Sequence, residues 1–226
     1  MKVLCVFVSL LAAAFAVNNG VCYKGIEEFC SHDKKEINPE KCNSKYGGIN
    51  KALPHLQEYV KNHIVLNFEY MLMSTYFGNY QKSREGFEKL FMDLSNSKWE
   101  KAIDLIKHIT KRGGEMDFTK MRANIPNNNN EVYELYEINS LAKALEIEKD
   151  MAEAAYHIHG QASERSKDFH DPEIVSYIEN EFIHKDSETI RKLSGHVSDL
   201  TKLLDSPDSS LALYVFDDYL NKVSIV

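Results

Sequence analysis

Apolar residues recur every three or four positions along residues 132–163. They are Leu135, Ile138, Leu141, Ala142, Leu145, Met151, Ala152, Ala155, Ile158 and Ala162. This spacing places them on one face of an α-helix and predicts that the face is buried. A helix of about 30 residues is about 45 Å long, which is typical of a long helical bundle.

The same period marks three other long helices and a short one. Their limits come from local signals: Pro54 suits a first turn, Arg112-Gly113-Gly114 is a strong stop signal, and Ser206-Pro207-Asp208 breaks the chain. The predicted helices cover about 53–77, 86–111, 132–163, the stretch from after Asp171-Pro172 to Leu204, and 210–219.

The connection between the second and third helices is long. Residues 115–131 contain Pro126 and four consecutive asparagines. Two long helices joined in this way are expected to be connected by a crossover that runs the length of the bundle. Since no strand alternation is present, the sequence predicts an all-α four-helix bundle with a long crossover and a short fifth, C-terminal helix.

Residues 1–16 have the order of a secretory signal peptide: Lys2, an apolar run, then small residues ending in Ala-Phe-Ala. The run is too short to span a bilayer, and no later segment is apolar enough. We therefore expect a soluble protein of the secretory lumen (endoplasmic reticulum and Golgi) or the extracellular fluid. The formal net charge is −7, and loss of Lys2 makes it one unit more negative. This charge disfavours nucleic acid and anionic membranes as partners.

Residues 17–50 read as an irregular extension, and residues 51–226 as the bundle domain. The extension contains Cys22, Cys30 and Cys42. An oxidising compartment favours disulfides, and three thiols cannot all pair within one chain. We predict one internal bridge and one bridge to another subunit; a single free thiol is the alternative.

Polar residues interrupt the apolar face of every long helix. They are His63, Tyr70, Lys98, Lys101, Glu148 and Asp186. A buried carboxylate must be protonated, paired with a cation or bound to a metal. The simplest account is that both lysines form ion pairs with Glu148 and Asp186, giving a polar core and no working redox site. Asp93 and Glu100 lie off the apolar face of their helix.

Several motifs, in order, resemble those of the ferritin family. They are Tyr70-x-x-Met73-Ser74-x-Tyr76-Phe77, Arg112-Gly113-Gly114, Ala144-Leu145-x-x-Glu148-Lys149, Asp171-Pro172 followed by Ile178-Glu179, and His196-Val197-x-x-Leu200. The signal peptide and the cysteine-bearing extension with Lys45-Tyr46-Gly47-Gly48 are similar to those of the secreted ferritins of insects, in particular their light-type chains.

This resemblance implies a hollow shell of 24 subunits, mixing light-type and heavy-type chains, that stores ferric iron as a mineral. The family's ferroxidase centre maps mostly onto other residue types here. Its first glutamate falls on His63, its tyrosine on Tyr70, its Glu-x-x-His pair on Lys98 and Lys101, its third glutamate on Glu148 and its glutamine on Asp186. The resemblance therefore implies a vestigial centre and a heavy-type partner that oxidises Fe²⁺, with disulfide linkage to the shell.

The resemblance also suggests where iron meets the chain. The acidic residues that seed mineral in light-type chains match Asp93 and Glu100, with Asn96 and Ser97 between them. The aspartate and glutamate of the three-fold channel match Ser176 and Glu179. We therefore expect weak mineral nucleation and one retained channel carboxylate.

Three functions from different classes follow from these residues. The first is a non-catalytic storage subunit of a secreted ferritin. The second is a ferroxidase that uses Glu148, Asp186, Tyr70 and His63, with both lysines swung outward. The third is a secreted helical-bundle ligand of the cytokine type, which would be a monomer or dimer.

Overall fold

The computed structural model describes residues 43–118, 135–164 and 170–226. Its helices are α1 (Ile49–Phe77), α2 (Glu85–Lys111), α3 (Glu137–Ser163), α4 (Pro172–Ile178), a π-helical turn (Glu179–Ile183), α5 (His184–Leu204) and α6 (Ser209–Lys222). The predicted signal peptide and the three extension cysteines lie outside the described residues. Among the described helices, none combines the length and apolar character needed to cross a bilayer.

The four long helices pack side by side, with α4, the π-helical turn and α5 forming the continuous fourth helix. α1 and α2 run antiparallel. The Asn67 amide donates a hydrogen bond to the Ser95 carbonyl oxygen near mid-helix, and the Ser74 hydroxyl, nearer the end of α1, donates to the Glu88 carbonyl oxygen, nearer the start of α2. α1 and α3 are also antiparallel, because Tyr59 contacts Met151 while Tyr70 contacts Ala144. The predicted all-α bundle is confirmed.

α2 and α3 point in the same direction. Arg84, just before α2, pairs with Glu137 at the start of α3, with Nε and Oε1 3.2 Å apart. The end of α2 and the start of α3 therefore lie at opposite ends of the bundle, as a long crossover requires. Residues 119–134 of that connection lie outside the described part of the chain.

Two predicted helix starts were wrong. α1 begins at Ile49, so Pro54 lies inside the helix; the Gly48 carbonyl oxygen already accepts hydrogen bonds from the backbone of Lys51 and Ala52. α3 begins at Glu137 and not at residue 132. Tyr136 has an extended backbone, with φ −78° and ψ 144°, so the helical turn starts after it.

The core consists of two apolar clusters along the bundle axis. One contains Tyr59, Val60, Ala102, Leu105, Met151 and Phe182, and the other contains Tyr70, Phe91, Leu94, Ala144 and Leu193. Along α2, α3 and the fourth helix, the polar residues predicted at mid-face fall between the two sets, whereas on α1 Tyr70 belongs to the second cluster and His63 lies beside Ile64 of the first. The fold therefore places a layer of polar side chains near the middle of the bundle, where the two apolar clusters meet.

The fourth helix is not a regular α-helix. Its buried residues include Ile174, Ile178, Phe182 and Asp186, a spacing of four repeated three times. Each step of four overshoots one α-helical turn by about 40°, so the face would rotate by about 120° over this stretch. The π-helical turn absorbs one extra residue and keeps the face directed at the core.

α6 packs on the start of α2 through one side and is exposed on the other. Phe216 and Leu220 are buried, and the ring centroids of Phe216 and Phe87 are 6.0 Å apart. Leu211 and Val215 are 58% and 57% exposed. The backbone N–H of Phe87, in the first turn of α2, donates to Oδ1 of Asp217 from α6. A side chain from another helix therefore caps α2.

Replacing Gly86 with alanine should destabilise the docking of α6. A Cβ atom at this position would lie 1.9 Å from the carbonyl oxygen of Asp217, which is backbone and cannot rotate away. We expect a loss of about 1–3 kcal/mol in the free energy of unfolding, as for overpacked cores. Thermal unfolding followed by circular dichroism measures it.

Gly195→Ala is the matched control, because nothing lies within 4 Å of a Cβ at this position in α5. Its higher helix propensity should raise stability by about 0.5–1 kcal/mol. Equal unfolding temperatures for the two variants would contradict the close contact between α2 and α6.

Candidate functional site

The polar layer is formed by one or two side chains from each long helix. α1 contributes His63 and Tyr70, α2 contributes Lys98 and Lys101, α3 contributes Glu148 and α5 contributes Asp186. His63, Lys98, Glu148 and Asp186 are each at most 1% exposed. The six residues predicted from the sequence therefore do lie in the middle of the bundle.

Lys98 and Glu148 form the first ion pair of the layer. Their Nζ and Oε2 atoms are 2.7 Å apart, and both side chains are almost completely buried. The other carboxylate oxygen accepts a hydrogen bond from the Tyr70 hydroxyl at 2.9 Å. Burial and the neighbouring Glu148 charge raise the pKa of Tyr70 well above its usual value, so its hydroxyl stays protonated and donates.

Lys101 and Asp186 form the second ion pair. Nζ of Lys101 lies 2.5 Å from Oδ1 of Asp186, whose side chain is fully buried. Burial and the positive charge of Lys98 lower the pKa of Lys101, while Asp186 opposes the shift. The structure thus contains both expected ion pairs, and it assigns each lysine to one carboxylate.

His63 is neutral in this environment. Burial lowers the pKa of its imidazole well below the usual value, and the charge of Lys98 lowers it further. Its Nδ1 donates to the carbonyl oxygen of Tyr59 at 2.9 Å, which leaves Nε2 as the nitrogen with a lone pair. The rings of Tyr59 and Phe182 contact it edge-on, at 4.4 and 5.5 Å between centroids.

This arrangement limits the chemistry of the layer. A protonated amine has no lone pair to offer a metal, and it repels a cation. Lys98 and Lys101 already compensate the charges of Glu148 and Asp186. Within residues 43–118, 135–164 and 170–226, no group of three or more histidine, cysteine, aspartate or glutamate side chains is arranged to hold a metal ion.

The other acidic residues singled out from the sequence lie apart from the layer. Asp93 is half-buried and pairs with Lys89, four residues earlier on α2, at 3.1 Å. Glu100 is exposed and lines a shallow cavity of about 230 Å³ between α2 and the fourth helix. Glu179 opens the π-helical turn, 48% exposed, with an imidazole nitrogen on either side.

The sequence reading missed a second buried charge network, at the end of the bundle where α2 stops. The Arg112 guanidinium, 1% exposed, donates two hydrogen bonds to Asp171, at 2.7 and 3.3 Å. It also pairs with Glu173 and donates to the carbonyl oxygen of Tyr46 at 2.9 Å. Arg112 therefore joins α2, α4 and the chain just before α1.

Gly47 and Gly48 complete this network, which we call the Arg112 clamp. The Gly48 N–H donates to Asp171 at 2.9 Å. Gly47 has φ +63°, and a Cβ there would lie 2.6 Å from an Asp171 oxygen, so only glycine fits. In the sequence, Arg112 was identified as part of a helix stop signal and Gly47-Gly48 as part of a motif. Their spacing along the chain did not predict that both lie against Asp171.

The long antiparallel helices, the parallel α2 and α3, the short C-terminal helix and the mid-bundle polar layer together define a ferritin-like bundle. A family model described as Ferritin-like domain matches residues 53–203. The chain therefore belongs to the ferritin family of iron-storage proteins.

Among its relatives, two insect proteins match nearly the whole chain. It is 42% identical to the ferritin light chain of Trichoplusia ni over 229 residues, covering 98% of this chain and 99% of the relative. It is 37% identical to the ferritin light chain of Drosophila melanogaster, covering 97% of each. The crystal structure of Trichoplusia ni secreted ferritin superposes with a TM-score of 0.77, covering 90% of this chain and 99% of that one.

Proposed function

We propose that this chain is the non-catalytic, light-type subunit of a secreted ferritin shell that stores ferric iron as a mineral. A heavy-type partner chain supplies the oxidation of Fe²⁺. The observation that carries the proposal is the pair of lysine ammonium groups inside the bundle, Lys98 on Glu148 and Lys101 on Asp186.

The lysines oppose iron oxidation for two physical reasons. They stand where the family resemblance places a Glu-x-x-His pair, so two donors of lone pairs are replaced by two cations. They also hold the remaining carboxylates, whose charges would otherwise attract Fe²⁺. For the chain to act as a ferroxidase, both lysines would have to leave, and breaking one buried pair costs about 3–5 kcal/mol.

Iron storage then depends on the surface of the bundle. Closely spaced carboxylates concentrate hard cations. Glu100 is exposed and has Asp104 one helical turn away, but Lys107 partly compensates the charge of Asp104, as Lys89 does that of Asp93. We therefore infer weak mineral nucleation centred on Glu100, with a channel role for Glu179.

Assembly and secretion are the remaining parts of the proposal. Two relatives that match over nearly their full length are named as light chains, and one matching crystal structure is of a secreted ferritin. The exposed apolar side of α6, with Leu211 and Val215, suits a contact between subunits of a 24-subunit shell. We propose that extension cysteines link this chain to the heavy-type chain.

Stopped-flow oxidation of a few Fe²⁺ ions per chain in air tests the catalytic part. The chain is purified without a partner, and absorbance of the ferric product is followed. We expect a slow trace like that of Fe²⁺ autoxidation in buffer, and acceleration only when a heavy-type chain is assembled with it.

The Glu148→Ala variant distinguishes a storage subunit from a ferroxidase. In a storage subunit the Glu148 carboxylate only pairs with Lys98, whereas a ferroxidase would use it to bind iron. For a storage subunit the variant should be less stable but oxidise Fe²⁺ no more slowly than the wild-type chain. A fast, saturable phase in the wild type that disappears in Glu148→Ala would identify the chain as an enzyme and overturn the proposal.

A further inference from the structure

A buried histidine, His108, lies beside the Arg112 clamp, one helical turn before Arg112. Its side chain is 5% exposed, and its Nε2 has no hydrogen-bond partner among the described residues. Nε2 lies 3.4 Å from Oε2 of Glu173, the same carboxylate oxygen that pairs with Nη1 of Arg112. The imidazole therefore lies next to a carboxylate of the clamp but does not hold it with a hydrogen bond.

Tyr177 of α4 keeps the ring of His108 in this place. The two rings are stacked, with centroids 3.7 Å apart and an angle of 9° between their planes. Burial raises the pKa of Tyr177, so its hydroxyl adds no charge to the site. Because the stack leaves the imidazole little room to move, a proton taken up there creates a second buried cation beside the guanidinium of Arg112.

The charges around His108 come from the end of α2 and from the start of α4. Arg112 and Lys111 oppose a positive imidazole, whereas Glu173 and Asp171 favour it. Burial has the largest effect, and together with the two cations it lowers the pKa of His108 below its usual value of 6.5. His108 is therefore neutral while the clamp is closed at neutral pH.

We propose that His108 is a proton-operated release of the Arg112 clamp. A protonated imidazole donates to Glu173 and competes with Arg112 for this carboxylate, while the two cations, four residues apart, repel each other. The Glu173 side chain is 37% exposed, so it is free to follow either partner. Arg112 then holds the chain before α1 less firmly, because it binds the Tyr46 carbonyl oxygen and lies 4.0 Å from the centre of the Tyr46 ring.

Proton uptake by His108 favours the open clamp, since the pKa is lower when the clamp is closed. The stability that neutral His108 contributes is present above the usual pKa of 6.5 and is lost as the pH falls through the lower value of the closed clamp. Asp171 takes up its proton only below 3.8, so the two steps are separate. The release depends on the clamp alone and not on the storage role proposed above.

Hydrogen exchange of the assembled, iron-free protein, followed by mass spectrometry, tests the release. Exchange of the carbon-bound imidazole hydrogen gives the pKa of His108, which we expect below 6.5. Amide exchange gives the protection factors of Gly48, Lys51 and Ala52, whose N–H groups donate to Asp171 or to the Gly48 carbonyl oxygen. These factors should fall between about pH 7.5 and pH 5, by up to about tenfold for each unit by which the pKa is lowered.

Two variants separate the proton from the packing of the ring. His108→Phe keeps a ring on Tyr177 but takes up no proton, so its protection factors should not change with pH in this range. Glu173→Gln removes a carboxylate that favours the charged imidazole, and it should lower the pKa of His108 further; a purely structural role of Glu173 would leave that pKa unchanged. His184→Phe, at a 64% exposed histidine of α5, is the matched control and should keep the wild-type pH dependence.

A pKa of 6.5 or higher for His108 would contradict a release by protonation, as would wild-type protection factors that do not depend on pH. The same conclusion follows if His108→Phe loses protection as the wild type does, because another group then opens the clamp. If His108→Phe does not fold, the wild-type pKa and protection factors, together with Glu173→Gln, decide the question.

Discussion

Replacing Lys98 with methionine should lower the free energy of unfolding by about 3–5 kcal/mol. Methionine keeps the length of the side chain but removes the ammonium group that lies 2.7 Å from Glu148. The Glu148 carboxylate, 1% exposed, would keep only its hydrogen bond from Tyr70. Guanidinium unfolding of the iron-free protein, followed by far-ultraviolet circular dichroism, measures the change.

A second substitution tests whether the loss comes from the uncompensated charge. In the double variant Lys98→Met/Glu148→Gln, the new amide oxygen still accepts a hydrogen bond from the Tyr70 hydroxyl. Neither of the two substituted side chains carries a charge. The double variant should recover most of the lost stability, because replacing a whole buried pair is often neutral. Glu148→Gln alone should be destabilising, since it leaves Lys98 buried without a carboxylate.

Lys107→Met provides the exposed control. Its pair with Asp104 on the same helix is 71% and 66% exposed, so its removal should change stability by less than about 1 kcal/mol. Equal effects for Lys98→Met and Lys107→Met would mean that the interior pair contributes no more than a surface pair.

Replacing Arg112 with methionine should cost a similar amount, about 3–5 kcal/mol, at the end of the bundle. The substitution leaves the Asp171 carboxylate, 3% exposed, without its cation and frees the Tyr46 carbonyl oxygen. Hydrogen exchange should show faster opening of the first turn of α1, since the Arg112 clamp fixes the chain there. Arg191→Met, an exposed arginine on α5, should change stability by less than about 0.5 kcal/mol.

The Arg112 clamp also predicts a dependence on pH. Burial alone would raise the pKa of Asp171, but hydrogen bonds from Arg112, Ile174 and Gly48 outweigh it and lower the pKa. A lowered pKa means that the stability contributed by Asp171 is present above the unfolded value near 3.8 and is lost as pH falls through the folded value. Acid unfolding of Arg112→Met should therefore begin at a higher pH than that of the wild type.

An acid transition that begins at a higher pH in the wild type than in Arg112→Met would contradict this role of Asp171, as would a stability difference between the two proteins that grows as the pH falls. An unchanged hydrogen-exchange rate at Ile49–Ala52 in the variant would show that the start of α1 is held by other contacts.

The interior layer shows what sequence reasoning can predict about a site. The 3.6-residue period placed Lys98, Lys101, Glu148 and Asp186 on buried faces, and the need to compensate buried charge predicted ion pairs between them. The helical period does not determine how far one helix is shifted along the bundle axis relative to its neighbour. Which lysine meets which carboxylate therefore followed only from the packing of α2 against α3 and α5.

The π-helical turn carried a signal in the sequence that the periodicity reading did not use. The spacing of four among Ile174, Ile178, Phe182 and Asp186 cannot stay on one face of a regular α-helix over that length. The side-chain contacts that the turn produces could not be predicted from the sequence, however. His184 approaches Glu179 because of the local backbone, and His159 approaches it from another helix.

By itself, the sequence determined the number of long helices, their buried faces, the stop at Arg112-Gly113-Gly114 and the charged composition of the interior layer. These depend on residues close together in the chain, where helical geometry fixes the spacing. Only the tertiary structure decided the pairing of the buried charges, the Arg112 clamp and the capping of α2 by Asp217. These contacts join residues 50 to 130 positions apart, and their formation depends on how the helices pack.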